Sequence, residues 1–586
     1  MSCLVIGWFV LLSEEYKQLG KHVVGGVTFT SNFLLMNEAG YFDLASELKP
    51  LLHLWSLGIE EQFYLVWPAL VFVAWKRGFN IFSLVILITL ASLIFNINEA
   101  YNNLTAAFYL PTSRFWELMI GGLLAYIWLY KKSLFEKISK RIDSAAGFII
   151  YRDARPFDVR SSLGILLILV AVFIGNEVAV FPVWHLLSAV GAFLLISAGP
   201  DSWLNRKFIA HRALVFVGLI SYPLYLWHWP LLAFARILRY GFIANSYYII
   251  GIKIALVILS MVLAWLTYVL IEKPIKTLGK KVAIYLLIVF IGIGLAGFYI
   301  YKHQIIPDSM VDIAGKDWDF PNVNWRTFTF DGKVFGWYQG TNVKKVIFTG
   351  DSHMEQYAPR IEELIKEDQT HTKSAIFITK GGCAPIPNVG RSDNKMCLNY
   401  VQNVIDLAEK DKDVDTVVVA AFWNDRFSYD GNYYTFYKNG STELKLTSPE
   451  GAEKAYKALE LMLVKLKQLG KKTYLVLNMP AGDAFDPGDI MRRSILNSSL
   501  RITRRSVDEE TLFTNKKYAE ATHVHERLKK IAERSGAIVI DPLDYLCHEK
   551  SCPVFTADGE LIYKDPGHLR ASICRKDIHY LDETMR

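Results

Sequence analysis

Cysteine is scarce in this chain, and the few present are not arranged for metal. Its 586 residues hold six cysteines. None forms a Cys-x-x-Cys pair and no histidine stands at a matching spacing, so a structural zinc site is not expected. There is no internal repeat and no low-complexity tract, which excludes a solenoid. Charge of one sign is also in short supply. The formal net charge is +7, and much of that excess lies in short loops between apolar segments, so it is not the footprint of nucleic-acid binding. The start of the chain shows no leader pattern: Met1 to Leu12 is apolar, with no basic n-region and no small-residue cleavage site, and does not read as a signal peptide. It reads as the tail of a helix whose beginning is missing.

The chain has two unlike halves, so its 52% hydrophobic content is an average. Up to His303, apolar segments follow one another with aromatic residues at their ends; beyond it, polar residues alternate with short apolar runs. Eight segments are expected to be membrane helices: Leu57–Trp75, Ile81–Ile97, Arg114–Tyr130, Ser161–Gly175, Val183–Ala198, Leu214–Ala235, Tyr247–Ile271 and Val282–Tyr301. Several fall short of the roughly 20 residues that cross a bilayer. Basic loops (Lys76–Arg77, Lys131 to Arg160, Arg206 to Arg212, Lys273 to Lys281) alternate with the stretches Glu38 to Glu47, Glu99 to Thr112 and Asn176 to Val180. By the positive-inside rule the basic set is cytoplasmic, and everything after Lys302 emerges on the other side. Cys383 with Cys397 and Cys547 with Cys552 are then expected to close local disulfides in an oxidising compartment, leaving Cys3 and Cys574 free.

The second half is organised around Lys345-Val-Ile-Phe-Thr-Gly-Asp-Ser-His353. The apolar run reads as a buried strand and Met354 to Glu367 as an amphipathic helix, so Ser352 stands at a strand-to-helix turn. Such turns, at the carboxyl end of a parallel strand, are where ligands bind. The plainer reading of a lone serine there is a helix cap. Far downstream, Asp565-Pro-Gly-His568 places an acid and an imidazole three residues apart on a loop, able to orient and deprotonate one serine. Further strands are expected at Val346–Thr349, Ser374–Thr379, Thr416–Ala421, Thr473–Leu477 and Ala537–Ile540. Helices are expected between them, Ala452–Leu469 and Asn515–Arg534 among them.

Gly350-Asp-Ser-His353 near the start of this unit and Asp565-x-x-His568 near its end resemble the SGNH (GDSL-like) hydrolase family. That resemblance implies Ser352 as nucleophile, His568 as base and Asp565 as its orienting partner. It also implies an oxyanion site made by the serine amide, a glycine amide and an asparagine, here Gly382 and Asn424. Phe422 stands where the family has glycine, so Trp423 is the alternative to Asn424. His353 is read as a pocket wall, and His523 and His525, two apart on a helix, as a solvated face.

In the first half, His53-Leu-Trp-Ser-Leu-Gly-Ile-Glu60-Glu61, Arg114-Phe-Trp-Glu117 and Tyr225-Leu-Trp-His228 put ionisable groups into apolar helices, where each is a functional candidate by its cost. Their plainer readings are headgroup-layer carboxylates for Glu60 and Glu61, an Arg114–Glu117 pair on one helix face, and a packed histidine at 228. With Glu272-Lys-Pro274, these stretches resemble the membrane acyltransferase-3 family, and in particular its branch fused to a periplasmic SGNH domain.

The resemblance implies a multi-pass α-helical membrane domain followed by an α/β SGNH-hydrolase-like domain, a five-stranded parallel sheet in a flavodoxin-like three-layer sandwich. The expected domains are 1–276 (acyltransferase-3, lacking the family's first helix with its basic residue and histidine), 277–303 (an extra transmembrane helix), 304–344 (a periplasmic linker) and 345–586 (SGNH). It further implies O-acylation of an extracytoplasmic polysaccharide, such as lipopolysaccharide O-antigen or peptidoglycan, by a protein of the bacterial inner membrane. The C-terminal domain is then periplasmic, acetyl-CoA is the acyl donor, and no bound cofactor, metal or nucleic acid is expected. Two alternatives stand beside it: a membrane-tethered carbohydrate esterase and a non-catalytic acyl transporter or glycan binder.

Overall fold

The computed structural model describes residues 1–38, 46–133, 135–137, 139, 141, 156–173, 181–238, 246–276, 280–391, 397–398, 400–427, 434–438, 442–493, 500–502, 505–508, 516–548 and 551–586. The chain divides into two compact units, 1–11 with 15–306 and 12–14 with 307–586.

The first unit is helical. All eight apolar segments anticipated from the sequence fall on helices: Leu54–Lys76, Ile81–Asn102, Pro111–Tyr130, Pro156–Phe173, Phe181–Ser197, Arg212–Ile237, Ser246–Thr267 and Lys280–Lys302. Five have the length and hydropathy of a membrane span: Leu54–Lys76, Ile81–Asn102, Arg212–Ile237, Ile250–Ile275 and Val282–Lys302. Their large apolar side chains face outward, as Leu65 at 77% exposure and Ile94 at 66% show. Only a lipid-like surround makes that arrangement favourable. Gly164 and Gly191 let the helices Pro156–Phe173 and Phe181–Ser197 touch, since a Cβ on either would sit 2.7 Å from the other's carbonyl oxygen. Three further helices open the unit: Ser2–Val10, Ser13–Val27 and Ser31–Glu38. The last two escaped the hydropathy reading because they are short or only half apolar. The loop Asn176 to Val180 and most of Glu38 to Glu47 and of the basic stretch before Arg160 lie outside the described residues.

The second unit is a three-layer α/β domain. Its main sheet takes seven strands: β1 (Arg326–Phe330), β2 (Lys333–Gln339), β3 (Lys345–Gly350), β4 (Ser374–Thr379), β5 (Val414–Ala420), β6 (Lys472–Val476) and β7 (Ile538–Ile540). Their spatial order is β1-β2-β4-β3-β5-β6-β7. The last five pair in parallel, and β2 joins β4 antiparallel. Within the parallel set the second strand lies outside the first, so the order reverses between β3 and β5, the place where doubly wound sheets bind ligands.

All five anticipated strands are present. The stretch 304–344 is more than a linker, however, because it supplies the β1–β2 hairpin that extends the sheet. Its alternation was too brief and aromatic to read as strands. Alternate residues of β3 bury into opposite layers, Val346 and Phe348 on one side and Ile347 on the other. The helix expected from Met354 to Glu367 is broken into Ser352–Glu355 and Ala358–Glu367. Pro359 lacks the N–H that an unbroken helix would need and instead sits in the first turn of the second piece. Long helices Pro449–Gln468 and Lys516–Ser535 lie where the pattern placed them.

Candidate active site

Strand β3 ends where Gly350 pairs with Ala420 of the neighbouring parallel strand β5. A Cβ at 350 would lie 1.9 Å from the Ala420 carbonyl oxygen, so only glycine fits. The next residue, Asp351, is extended and caps the following turn, its Oδ1 accepting from His353 N at 2.8 Å. Asp351 is thus the cap and Ser352, which the plainer reading made the cap, is the first helical residue. Ser352 is 1% exposed.

The Asp565–His568 loop meets it there. His568 Nε2 lies 2.8 Å from Ser352 Oγ, and His568 Nδ1 lies 2.8 Å from Asp565 Oδ1. An ionised carboxylate only accepts, so Nδ1 carries the ring proton and Nε2 presents its lone pair to the serine hydroxyl. Burial alone would raise the Asp565 pKa. The His568 hydrogen bond and charge, Lys564 and the Gly567 amide outweigh it and hold the carboxyl well below its ordinary value. Gln356, which the sequence did not single out, accepts from Leu569 N at 2.9 Å and fixes the loop just past the base. Trp318, from the stretch taken as linker, stands edge to face with His568 at 5.5 Å between centroids.

His353, read from the sequence as a pocket wall, packs beside the array. It is buried, stacked on Phe422 at 4.5 Å and 4.9 Å from the His568 ring. Burial and the neighbouring His568 charge push its pKa down to about 3, so it is neutral at any physiological pH.

The three oxyanion candidates part company. Trp423 is wholly buried and its indole N–H donates to Val476 O at 2.8 Å, which removes it from any role toward substrate. Asn424 lies in the short helix Trp423–Phe427 that follows β5, with its Oδ1 accepting from Asn478 Nδ2 at 2.8 Å, so its Nδ2 is the end of the amide that Asn478 does not engage. Gly382, at a positive φ of 69°, follows β4 in a turn closed by Cys383 N to Lys380 O at 3.0 Å. Cys383 is bonded to Cys397, and Cys547 to Cys552; Cys3 and Cys574 are free, as the spacing implied.

In the helical unit the three ionisable stretches form two clusters. His53, 7% exposed, meets His228 and Tyr225 ring to ring at 5.9 and 5.0 Å. His228 Nδ1 donates to Tyr225 O at 2.8 Å, and Tyr225 OH shares a 2.7 Å hydrogen bond with Ser56 Oγ. Arg114 Nη1 binds both Glu117 Oε1 at 2.5 Å and His185 Nδ1 at 3.1 Å, with its guanidinium 5.3 Å from the Trp55 ring and 5.1 Å from the Phe108 ring, which contact each other. His185 had no motif to mark it. Glu60 and Glu61 are half-buried, and neither makes a hydrogen bond or ion pair among the described residues. Among those residues no three metal-ligating side chains converge. The supposed solvated face at 523 and 525 is only half so, since His523 is exposed and His525 buried.

Residues 3–269 match the family described as an acyltransferase domain of the acyltransferase-3 type, and residues 324–575 match that of an SGNH domain fused to AT3 domains. The chain is an acyltransferase-3–SGNH fusion. O-acetyltransferase OatA of Staphylococcus aureus (strain NCTC 8325 / PS 47) is 26% identical over 303 residues, 48% of this chain and 45% of that protein. The candidate peptidoglycan O-acetyltransferase YrhL of Bacillus subtilis (strain 168) is 30% identical over 290 residues, 47% of this chain and 42% of that protein. The chain therefore spans under half the length of these two relatives. The solved periplasmic domain of a lipopolysaccharide acetyltransferase from Salmonella ser. Paratyphi A aligns with 42% of this chain and 84% of that domain, at 13% identity and a TM-score of 0.29. In this fusion the helical unit is the acyltransferase-3 part, and the Ser352 turn lies in the SGNH part.

Proposed function

We propose that the fusion transfers acyl groups, acetyl in the first instance, from a cytoplasmic acyl-CoA to hydroxyls of an extracytoplasmic glycan. The observation that carries this reading is the hydrogen-bonded Ser352–His568–Asp565 array in one chain with an acyltransferase-3 domain. The basic loops between apolar helices favour an SGNH domain on the far side of the inner membrane from the donor.

In the first half-reaction His568 Nε2 takes the Ser352 proton as Oγ attacks the acyl carbonyl, and Asp565 stabilises the imidazolium. The negative charge on the tetrahedral oxygen is met by the Ser352 amide, the Gly382 amide and Asn424 Nδ2. As the leaving group departs it takes the proton from His568, and the acyl group stays on Ser352 as an ester. A sugar hydroxyl then attacks that ester, gives its proton to His568 Nε2, and leaves as the acylated glycan while Ser352 regains a proton. His53, His228, Arg114 and Glu117 are the residues of the membrane domain to which handling of the group inside the bilayer is assigned, because buried ionisable side chains there are otherwise costly. Lipopolysaccharide O-antigen is the acceptor we favour; peptidoglycan, which YrhL is named for, is the other.

The test is ester-linked acetate on each purified glycan from cells lacking their own O-acetyltransferase and carrying this chain or its Ser352→Ala variant. Acetate that appears on O-antigen with the chain and not with the variant supports the reading; acetate on peptidoglycan alone moves the acceptor. The hydrolase alternative is tested in cells that keep their own O-acetyltransferase, where a fall in ester-linked acetate on expression of the chain, absent with Ser352→Ala, would identify it.

A further inference from the structure

Arg426 has no exposed surface and appears in no motif. It lies in the short helix Trp423–Phe427 after β5, two residues beyond Asn424. A buried guanidinium is costly to desolvate unless its hydrogen bonds are well met, and those of Arg426 lead to all three elements that carry the oxyanion donors proposed above. Nη2 donates to Asp351 Oδ2, next to Ser352. That carboxylate, itself 0% exposed, accepts Phe422 N on the same oxygen at 3.0 Å and His353 N on the other at 2.8 Å. Nη1 donates to Asp425 and to the hydroxyl of Tyr434, whose ring lies under the guanidinium at 4.5 Å. Tyr434 OH in turn donates to the carbonyl of Gly382 at 2.8 Å.

We propose that Arg426 is a positioning residue for the SGNH reaction: one buried guanidinium ties the Ser352 turn, the Gly382 turn and the Asn424 helix into a single register, so that three donors from three loops converge on one oxygen. The proposal rests on the acyl-transfer reading of Ser352 given above.

The chemistry of the network fits this role better than a role in stability. Burial would raise the Asp351 pKa, but the Arg426 charge and two backbone amides keep the group ionised below its ordinary value, so the pair is a fixed charge–charge contact. Such pairs add little net stability over well-packed apolar residues and are better suited to specifying one arrangement. A guanidinium also suits the task by shape, because its planar fork reaches Asp351 and Tyr434 in two directions at once, whereas an ammonium on a flexible stem cannot. Tyr434 extends the reach to β4 by acting as acceptor from Arg426 and donor to Gly382. Small displacements are costly at such a site, since donors must lie within about 3 Å of where the oxyanion forms.

The test compares the detergent-solubilised full chain with Arg426→Met, Arg426→Lys and Tyr434→Phe, using hydrolysis of an aryl acetate and a folded fraction measured independently by protection of buried Cys574 from alkylation. Ser352→Ala is the reference for background. Tyr434→Phe removes one hydroxyl from a retained ring and guards against the case in which Arg426→Met fails to fold. Expected is a fall in kcat of about 10²-fold for Arg426→Met, not rescued by lysine, and of about 10-fold for Tyr434→Phe, with KM unchanged and rates taken per folded molecule. Unchanged kcat per folded molecule in Tyr434→Phe and in either Arg426 variant overturns the proposal while leaving the Ser352 reading intact. Turnover by the parent chain that survives Ser352→Ala overturns the reading beneath both.

Discussion

Asn478 donates from Nδ2 to Asn424 Oδ1 at 2.8 Å and receives Asn424 N on its own Oδ1 at 3.4 Å. The two side chains, one after β5 and the other after β6, thereby fix which end of the Asn424 amide is occupied, and on the reading proposed above Nδ2 is the end that meets the oxyanion. An asparagine that offered its oxygen would repel a forming oxyanion. Held this way, it offers N–H.

Replacing Asn424 by Ala should lower kcat on an acetyl ester by about 10²–10³-fold with little change in KM, as expected for a donor used only in the transition state. Asn478→Leu should give a smaller loss, because the amide is then free to turn. Trp423→Phe, which forfeits one hydrogen bond to Val476 O, should lower the melting temperature and leave kcat per folded molecule alone. Steady-state kinetics on the three variants beside their melting curves decide the matter.

Ser352, His568 and Asp565 should behave as one unit. Ser352→Ala and His568→Ala should each cost on the order of 10⁴–10⁶ in kcat, Asp565→Asn somewhat less, and the Ser352–His568 double variant no more than the worse single one. Losses that add on a logarithmic scale would show that the residues do not act in one step.

Acid should loosen the SGNH unit through His353. Its folded pKa is about 3, far below the roughly 6.5 of a free histidine. The unfolded chain therefore takes up this proton first. Stability from this residue is fully present above about pH 6.5 and drains away as the pH falls toward 3. His353→Phe keeps a ring on Phe422 and removes the titration. Its melting temperature should fall less than that of the parent between pH 7 and pH 5, measured by near-ultraviolet circular dichroism; parallel slopes would rule the residue out.

The disulfide Cys383–Cys397 closes a separation of 14 residues directly beside Gly382. Loop-closure entropy for a loop of that size is worth about 3 kcal/mol. Replacing both cysteines by serine should lower stability by that order and also kcat, because the Gly382 turn loses its anchor. Removal of Cys547–Cys552, with a separation of five, should cost less stability and spare kcat.

Much of this protein was legible before any coordinate. Ser352 could be placed at a strand end because a β-forming run stops at Gly350, and the steric reason for that glycine, the Ala420 carbonyl 1.9 Å from any Cβ, is a contact with the neighbouring parallel strand. The five parallel strands were equally visible, being short buried apolar runs between amphipathic helices. The β1–β2 hairpin was not, because edge strands that are half exposed carry a weak period and their partner, β4, lies some 40 residues on. His185, Gln356 and Arg426 had no signature either: each matters through a contact with a residue distant in sequence.

The sequence alone therefore determined the division into an apolar helical half and an α/β half, the order of the five parallel strands and the cysteine pairs, since each of these depends on local pattern or short spacing, while the serine, histidine and aspartate were marked by the family resemblance of their two motifs. Only the tertiary structure decided which side chains meet. It took Trp423 into the core and set Asn424 against Asn478, brought His53 against His228, and placed Arg426 among three loops. Those outcomes depend on how β3, β5 and β6, or the membrane helices, lie side by side, and nothing in the spacing of residues along one strand or helix records its neighbour's register.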